Sequence, residues 1–216
     1  MPLTIEITSD FMCPWCLIAE SRLHRAIAQL GPAADIQMVW RPFELNPTMP
    51  EMGIDRTTYR TTKFGSWEYS QQLDAQTIQA AQADGIQFRY DLMEVTPNTL
   101  KAHRLTWFAG QQDKATKMAA RILRAYFTEG QNIADVDVLA RLADEIGLDK
   151  ASAKAFLLSE AGTEEVREFE RQASAQGIHG VPSIRIGKEV LSGAQPVEVF
   201  VTALQTAIDK LTEVRS

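Results

Sequence analysis

The sequence predicts an α/β fold: a β-α-β unit opens the chain, a β-β-α unit closes it, and a run of helices lies between. Three observations carry this. Apolar and polar residues alternate on both sides of one helix-periodic stretch near the N-terminus. From residue 46 to about residue 174 the alternation vanishes and helical spacing replaces it. After Gly177 short alternating runs return, followed by a last amphipathic stretch. With 216 residues, 45% of them apolar, the chain can bury a sizeable core.

In the first strand Leu3, Ile5 and Ile7 alternate with Thr4, Glu6 and Thr8, and Asp10 closes it. From Cys13 the period changes, and Ala19, Leu23, Ala26, Ile27 and Leu30 share one helical face that Gly31-Pro32 ends. Ile36, Met38 and Trp40 alternate again up to Pro42. Strand, helix and strand within roughly forty residues make a βαβ unit with parallel strands.

Residues 46–55, with two prolines and a glycine, read as a linker. Residues 59–84 read as one long helix or a pair broken at Phe64-Gly65-Ser66. Further helices are expected over residues 96–112, 113–129, 135–146, 149–159 and 163–176, several opened by Asp or Thr and closed by Gly. That makes a block of about six helices with no strand in it. Strands over 183–186 and 190–192 then flank a Gly187-Lys188 turn. Pro196 starts a final helix with Val197, Phe200, Val201, Leu204, Ile208 and Leu211 as its stripe.

Composition narrows the function. Net charge is −6 and no basic run stands out, which argues against nucleic acid and anionic membranes as partners. No stretch approaches the ~18 consecutive apolar residues of a membrane span. The N-terminal residues show neither a basic segment nor a long apolar one, so the chain reads as cytoplasmic. In a reducing compartment two cysteines do not form a stabilising framework, and a Cys-x-x-Cys pair points to redox chemistry or metal.

Cys13 and Cys16 are the only cysteines. They stand where the first strand hands over to the first helix. Unpaired N–H groups and the positive end of the helix dipole favour a thiolate there. Cys13 is therefore read as the attacking nucleophile and Cys16, one turn on, as the resolving thiol. Two other readings stay open. The pair could be reduced core cysteines, or half of a zinc site. The latter needs two further ligands, and His24, His103 and His179 lack matching spacing. No metal and no cofactor beyond the cysteine pair is expected.

Cys13-Pro14-Trp15-Cys16 at the head of a helix, within this element order, resembles the thioredoxin fold. A helical block after the second strand resembles its DsbA-like branch, and the FrnE-like group of DsbA-family oxidoreductases in particular. Further motifs carrying that resemblance are Arg41-Pro42-Phe43-Glu44-Leu45-Asn46-Pro47 and Pro97-Asn98-Thr99 with Ala102-His103-Arg104. Gly180-Val181-Pro182-Ser183 and Ser192-Gly193-Ala194-Gln195-Pro196 complete the set.

The resemblance implies a four-stranded mixed sheet built from residues 1–46 and 174–216, with 47–173 as an inserted all-helical subdomain. It implies thiol–disulfide oxidoreductase or isomerase activity on disulfide-containing proteins or small thiols. Glutathione or a thioredoxin system would be the reductant. It also implies that Val181–Pro182 is cis and faces the cysteines, with Val181 backbone groups pairing a substrate strand. Pro14 and Trp15 would tune the redox poise, and Trp15 would also touch partner proteins. Trp15 brings no cation, so a potential more reducing than the roughly −120 mV of DsbA is expected.

Asp10 reads either as a proton relay for the thiols or as an exposed turn residue. His103 reads either as a residue near the active-site face or as a helix histidine bonding locally. A kappa-class glutathione transferase or 2-hydroxychromene-2-carboxylate isomerase shares the architecture. Those enzymes usually carry serine at the position of Cys13 and an acid near Gln195. A chaperone or binding module using the same fold is the non-enzymatic alternative.

Overall fold

The computed structural model describes residues 2–31 and 35–213. Strand β1 (Leu3–Ser9) buries Leu3, Ile5 and Ile7 and is followed by helix α1 (Pro14–Gln29). Strand β2 (Ile36–Pro42) runs parallel to β1, from Leu3 opposite Ile36 to Ser9 opposite Pro42. The expected helix stop at Gly31-Pro32 falls partly outside the described residues; Gly31 itself has φ 75°. Strands β5 (Ser183–Ile186) and β6 (Glu189–Ser192) form a hairpin, with Gly187 at φ 60° in its turn. The four strands lie in the order β2-β1-β5-β6, with β5 antiparallel to β1. The closing helix (Val197–Glu213) packs against α1 and buries Val197, Phe200, Ala203 and Leu204.

The segment between β2 and β5 contains helices α2 (Arg56–Phe64), α3 (Trp67–Ala81), α4 (Leu100–Gly110), α5 (Ala115–Glu129), α6 (Val136–Glu145), α7 (Lys150–Leu158) and α8 (Thr163–Ala175); the closing helix is α9. One expectation is corrected here. The segment is not all-helical: β3 (Ile54–Asp55) pairs antiparallel with β4 (Val95–Thr96). Two residues are too few to leave a period in the sequence. The block holds seven α-helices among its described residues, the count that follows when residues 59–84 form the broken pair. Residues 59–84 are divided because Gly65, at φ 90°, ends α2 and the Ser66 hydroxyl accepts from Tyr69 N–H to start α3.

The β3–β4 ladder fixes the start of α2. Arg56 N–H donates to the Glu94 carbonyl at 2.8 Å, and the Asp55 side chain caps the helix by accepting from Thr58 N–H at 2.7 Å. Gly53 lets the two segments meet: a Cβ there would lie 2.4 Å from the Thr96 carbonyl oxygen.

Two cores result, and α1 belongs to both. Ala19, Leu23 and Ala26 pack with the sheet and α9. Cys16, Leu17 and Ile18 pack with the helical block. Arg22 links the layers, donating to Asp84, the Ala80 carbonyl and the Ala194 carbonyl, each at 2.8 Å. Half-burying a guanidinium this way is tolerable because donors on each of its three nitrogens are matched.

Candidate active site

Cys13 is the N-cap residue of α1 and Pro14 opens the helix, where its missing N–H costs nothing. The turn before the helix is tied by Cys13 N–H donating to the Asp10 carbonyl at 3.1 Å. Cys16 N–H donates to the Cys13 carbonyl at 3.0 Å. Both cysteines are unbridged and buried, Cys13 at 5% exposure and Cys16 at 2%. Burial, and after it the neighbouring Cys13 sulfur, pushes the Cys16 thiol well above its ordinary range. Cys16 is therefore held protonated.

The loop before β5 comes to Cys13 from the far end of the chain. The Cys13 thiol donates to the Val181 carbonyl at 3.6 Å, and the Val181–Pro182 peptide bond is cis. Pro182 is buried, Val181 and Pro14 are half-buried, and Trp15 is exposed. Gln195 is tied back into its own turn, its amide donating to the Ser192 carbonyl at 2.6 Å.

Asp10 is fully buried, which corrects its reading as an exposed turn residue. Its carboxylate accepts from Leu45 N–H at 2.7 Å and from Met12 N–H at 3.5 Å. It also lies 3.3 Å from Nε2 of His103 on α4. His103 is thus not bonded locally within its helix: it reaches across to Asp10 and packs at 4.7 Å against the Phe11 ring. Asp10 offers no surface to a substrate, and His103, 5% exposed, lines a cavity along β2 and not the one beside Cys13. They hold the turn that presents Cys13.

Glu44 was not singled out by the sequence, although it is the one acid in the Arg41-to-Pro47 motif. It is buried, with Oε1 2.5 Å from the Arg167 guanidinium of α8. Its N–H donates to Glu170 at 3.0 Å. Burial, and then the Glu170 carboxylate, raise Glu44 to about 7, against the pull of His103 and Arg167. His24 pairs with Glu20 at 3.2 Å, and His179 is exposed. Among the described residues no three His, Cys, Asp or Glu side chains assemble into a metal-ligand group.

Beside Cys13 a cavity of about 240 Å³ separates the Met12-to-Trp15 turn from α2, α3 and residues near β4. Its far wall carries Arg56, Arg60, Lys63 and Tyr90. A larger cavity of about 490 Å³ lies along β2, and neither cysteine lines it. The basic wall was missed in the sequence. Its one signal is the spacing of Arg56, Tyr59, Arg60 and Lys63, which places all four on one face of a helix.

Known proteins are similar to this chain in sequence or in structure. A Bacillus subtilis protein of uncharacterized role, YwbO, is 30% identical over 205 residues, covering 94% of this chain and 96% of that one. A probable DsbA oxidoreductase from Streptomyces coelicolor superimposes with a TM-score of 0.86 at 32% identity, over 96% of this chain and 90% of that one. A 2-hydroxychromene-2-carboxylate isomerase superimposes at 0.75 with 17% identity, over 99% and 100% of the two chains, and shows the fold alone. The family model for the DSBA-like thioredoxin domain matches residues 4–205, nearly the whole of the sequence, and the chain belongs to that family.

Proposed function

We propose that the protein is a thiol–disulfide oxidoreductase in which Cys13 attacks and Cys16 resolves. The observation that carries this reading is the pairing of an N-capping Cys13 with the Val181 carbonyl beside Pro182. A thiolate at a helix N-terminus is stabilised by the unpaired N–H groups of the first turn. A substrate disulfide drawn against the Val181 backbone meets that sulfur directly.

The electron count is simple. Cys13 forms a bond to one substrate sulfur, and the substrate S–S bond breaks with its electron pair leaving on the other sulfur. Cys16 then loses its proton and attacks Cys13, which releases the second substrate thiol. The dithiol has lost two electrons and two protons, and the substrate disulfide has gained them. Cys16 stays inert until the mixed disulfide forms, because burial keeps it protonated. Asp10, part of the turn that precedes both sulfurs, is assigned as the relay for that proton.

In a cytoplasmic setting the dithiol form predominates at rest, so reduction or isomerisation of partner disulfides is favoured over net oxidation. Glutathione or a thioredoxin-type reductant restores the dithiol, and no further cofactor is needed. The substrates are disulfide-bearing proteins or small thiols, as in the FrnE-like group. A glutathione transferase or isomerase of the same architecture is disfavoured by a cysteine at position 13 and by Gln195, an uncharged residue bonded to its own turn.

The test is reduction of a protein disulfide, such as that of insulin, with a thiol reductant in excess. Cys13→Ser should abolish turnover, and Cys16→Ser should accumulate a mixed disulfide with substrate. Full turnover by Cys13→Ser would overturn the assignment. Full retention of aggregation suppression by the double cysteine variant, with no turnover in the native chain, would favour a binding module.

A further inference from the structure

The wall opposite the cysteines is short of negative charge. Arg56 and Arg60 share one carboxylate, Asp74, at 2.6 and 2.8 Å. Lys63 donates to the Tyr59 hydroxyl at 2.9 Å, a neutral partner. Three cations thus line a cavity in which Asp74 is the sole described acid, within a protein of net charge −6. Arg56 is 4% exposed, with its guanidinium 5.0 Å above the Tyr90 ring. Burial, and after it the like charge of Arg56, push the Arg60 guanidinium below its ordinary value despite Asp74. A buried cation pair with one counter-charge costs free energy unless a second anion completes it.

The arrangement is built rather than incidental. Ser70 takes two donors of Arg60, its hydroxyl at 2.5 Å and its carbonyl at 3.1 Å, which aims the guanidinium. Arg56 is anchored through its backbone N–H to the Glu94 carbonyl, just before β4. The same cavity has Cys13 in its wall. An anionic group seated among the cations would therefore belong to a molecule that also reaches the sulfur.

We propose, on the basis of the disulfide-exchange reading above, that this cavity selects low-molecular-mass disulfides and thiols bearing carboxylates. A carboxylate arm enters between Arg60 and Lys63 while the substrate sulfur lies against Cys13. Exchange itself follows the balanced steps given above: Cys13 binds one substrate sulfur, the other departs as the thiolate, and Cys16 closes the protein disulfide. The volume of about 240 Å³ suits one such arm and not a folded segment of protein.

Two small disulfides of opposite character test this on the reduced full-length protein. One is 5,5′-dithiobis(2-nitrobenzoate), which carries two carboxylates; the other is 2,2′-dithiodipyridine, which carries none. The quantity read is the ratio of their second-order rate constants. Lys63 is exposed, so Lys63→Glu tests charge with little risk to folding. The ratio should fall at least tenfold in Lys63→Glu and be restored in Lys63→Arg. In the unsubstituted chain it should fall as salt is raised. A ratio unmoved within twofold by both the substitution and salt overturns the selectivity while leaving the exchange reading intact. Failure of the native dithiol to react with either probe overturns both.

Discussion

The Cys13 sulfur lies 3.6 Å from the Val181 carbonyl oxygen, across 168 positions of sequence. Everything between them, the second strand and the whole helical block, returns the chain to within hydrogen-bond reach of its own first turn. The two sulfurs stand in different surroundings. Cys13 stands at the cavity wall, whereas Cys16 is 2% exposed and its thiol is driven up by burial. Brief treatment of the native dithiol with iodoacetamide near pH 7 should label Cys13 on the order of a hundred times faster than Cys16. Peptide mass spectrometry reads the ratio, and equal labelling contradicts the asymmetry.

Asp10 supports that turn from beneath. Asp10→Ala would strip the Leu45 N–H of its acceptor and leave His103 without its cross-helix partner. Loss of roughly 1–3 kcal/mol in urea unfolding is expected, the usual range for an orphaned buried group. Asp10→Asn keeps an oxygen for Leu45. It should recover most of the stability while slowing release of the mixed disulfide in stopped-flow measurements. Unaltered release kinetics would remove Asp10 from proton transfer.

Glu44 predicts a pH dependence of folding. Its native pKa, about 7, lies above the 4.5 of an ordinary glutamate. A raised value means the native state holds the proton more tightly than the unfolded chain. The resulting stabilisation is complete below pH 4.5 and is lost as pH rises through about 7. The displacement corresponds to roughly 3 kcal/mol at most. Glu44→Gln should flatten the stability profile across this window. A profile as steep as the native one would place the titration elsewhere.

Gly53 is required by close approach. At φ 78°, and with a Cβ position 2.6 Å from a Val95 methyl carbon as well as 2.4 Å from Thr96 O, it accepts no side chain without movement. Gly53→Ala should cost about 2 kcal/mol or more in denaturant midpoint terms. Because β3 leads directly into Arg56, the same substitution should disturb the basic wall. It should lower the preference for the carboxylate-bearing probe beyond any general loss of rate.

The sequence made the frame legible because the frame is periodic. Leu3, Ile5 and Ile7 announce a strand with one buried face, and Ala19, Leu23 and Ala26 announce a helix lying on it. Cys13 and Cys16 were legible for a different reason, as a rare residue pair at a point where the period changes. What stayed hidden depends on contacts between distant segments. The carboxylate of Asp10 meets His103 across 93 positions and Glu44 meets Arg167 across 123, and no local pattern encodes either. The two-residue β3–β4 ladder carries no period at all. The second buried face of α1, Cys16, Leu17 and Ile18, was obscured because three successive apolar residues fit no single stripe.

That second face gives α1 a thermodynamic consequence. The helix that bears the thiols is also the wall shared by two cores, pinned between them by Arg22. Closing the Cys13–Cys16 bond, unfolding the oxidised chain, reducing it and refolding form a closed cycle. The difference in folding free energy between dithiol and disulfide forms must equal the shift in electron affinity that folding confers on the pair. Side chains elsewhere on the helix, at Leu23 in one core or Ile18 in the other, thereby tune the midpoint voltage whenever they favour one redox form of the helix over the other.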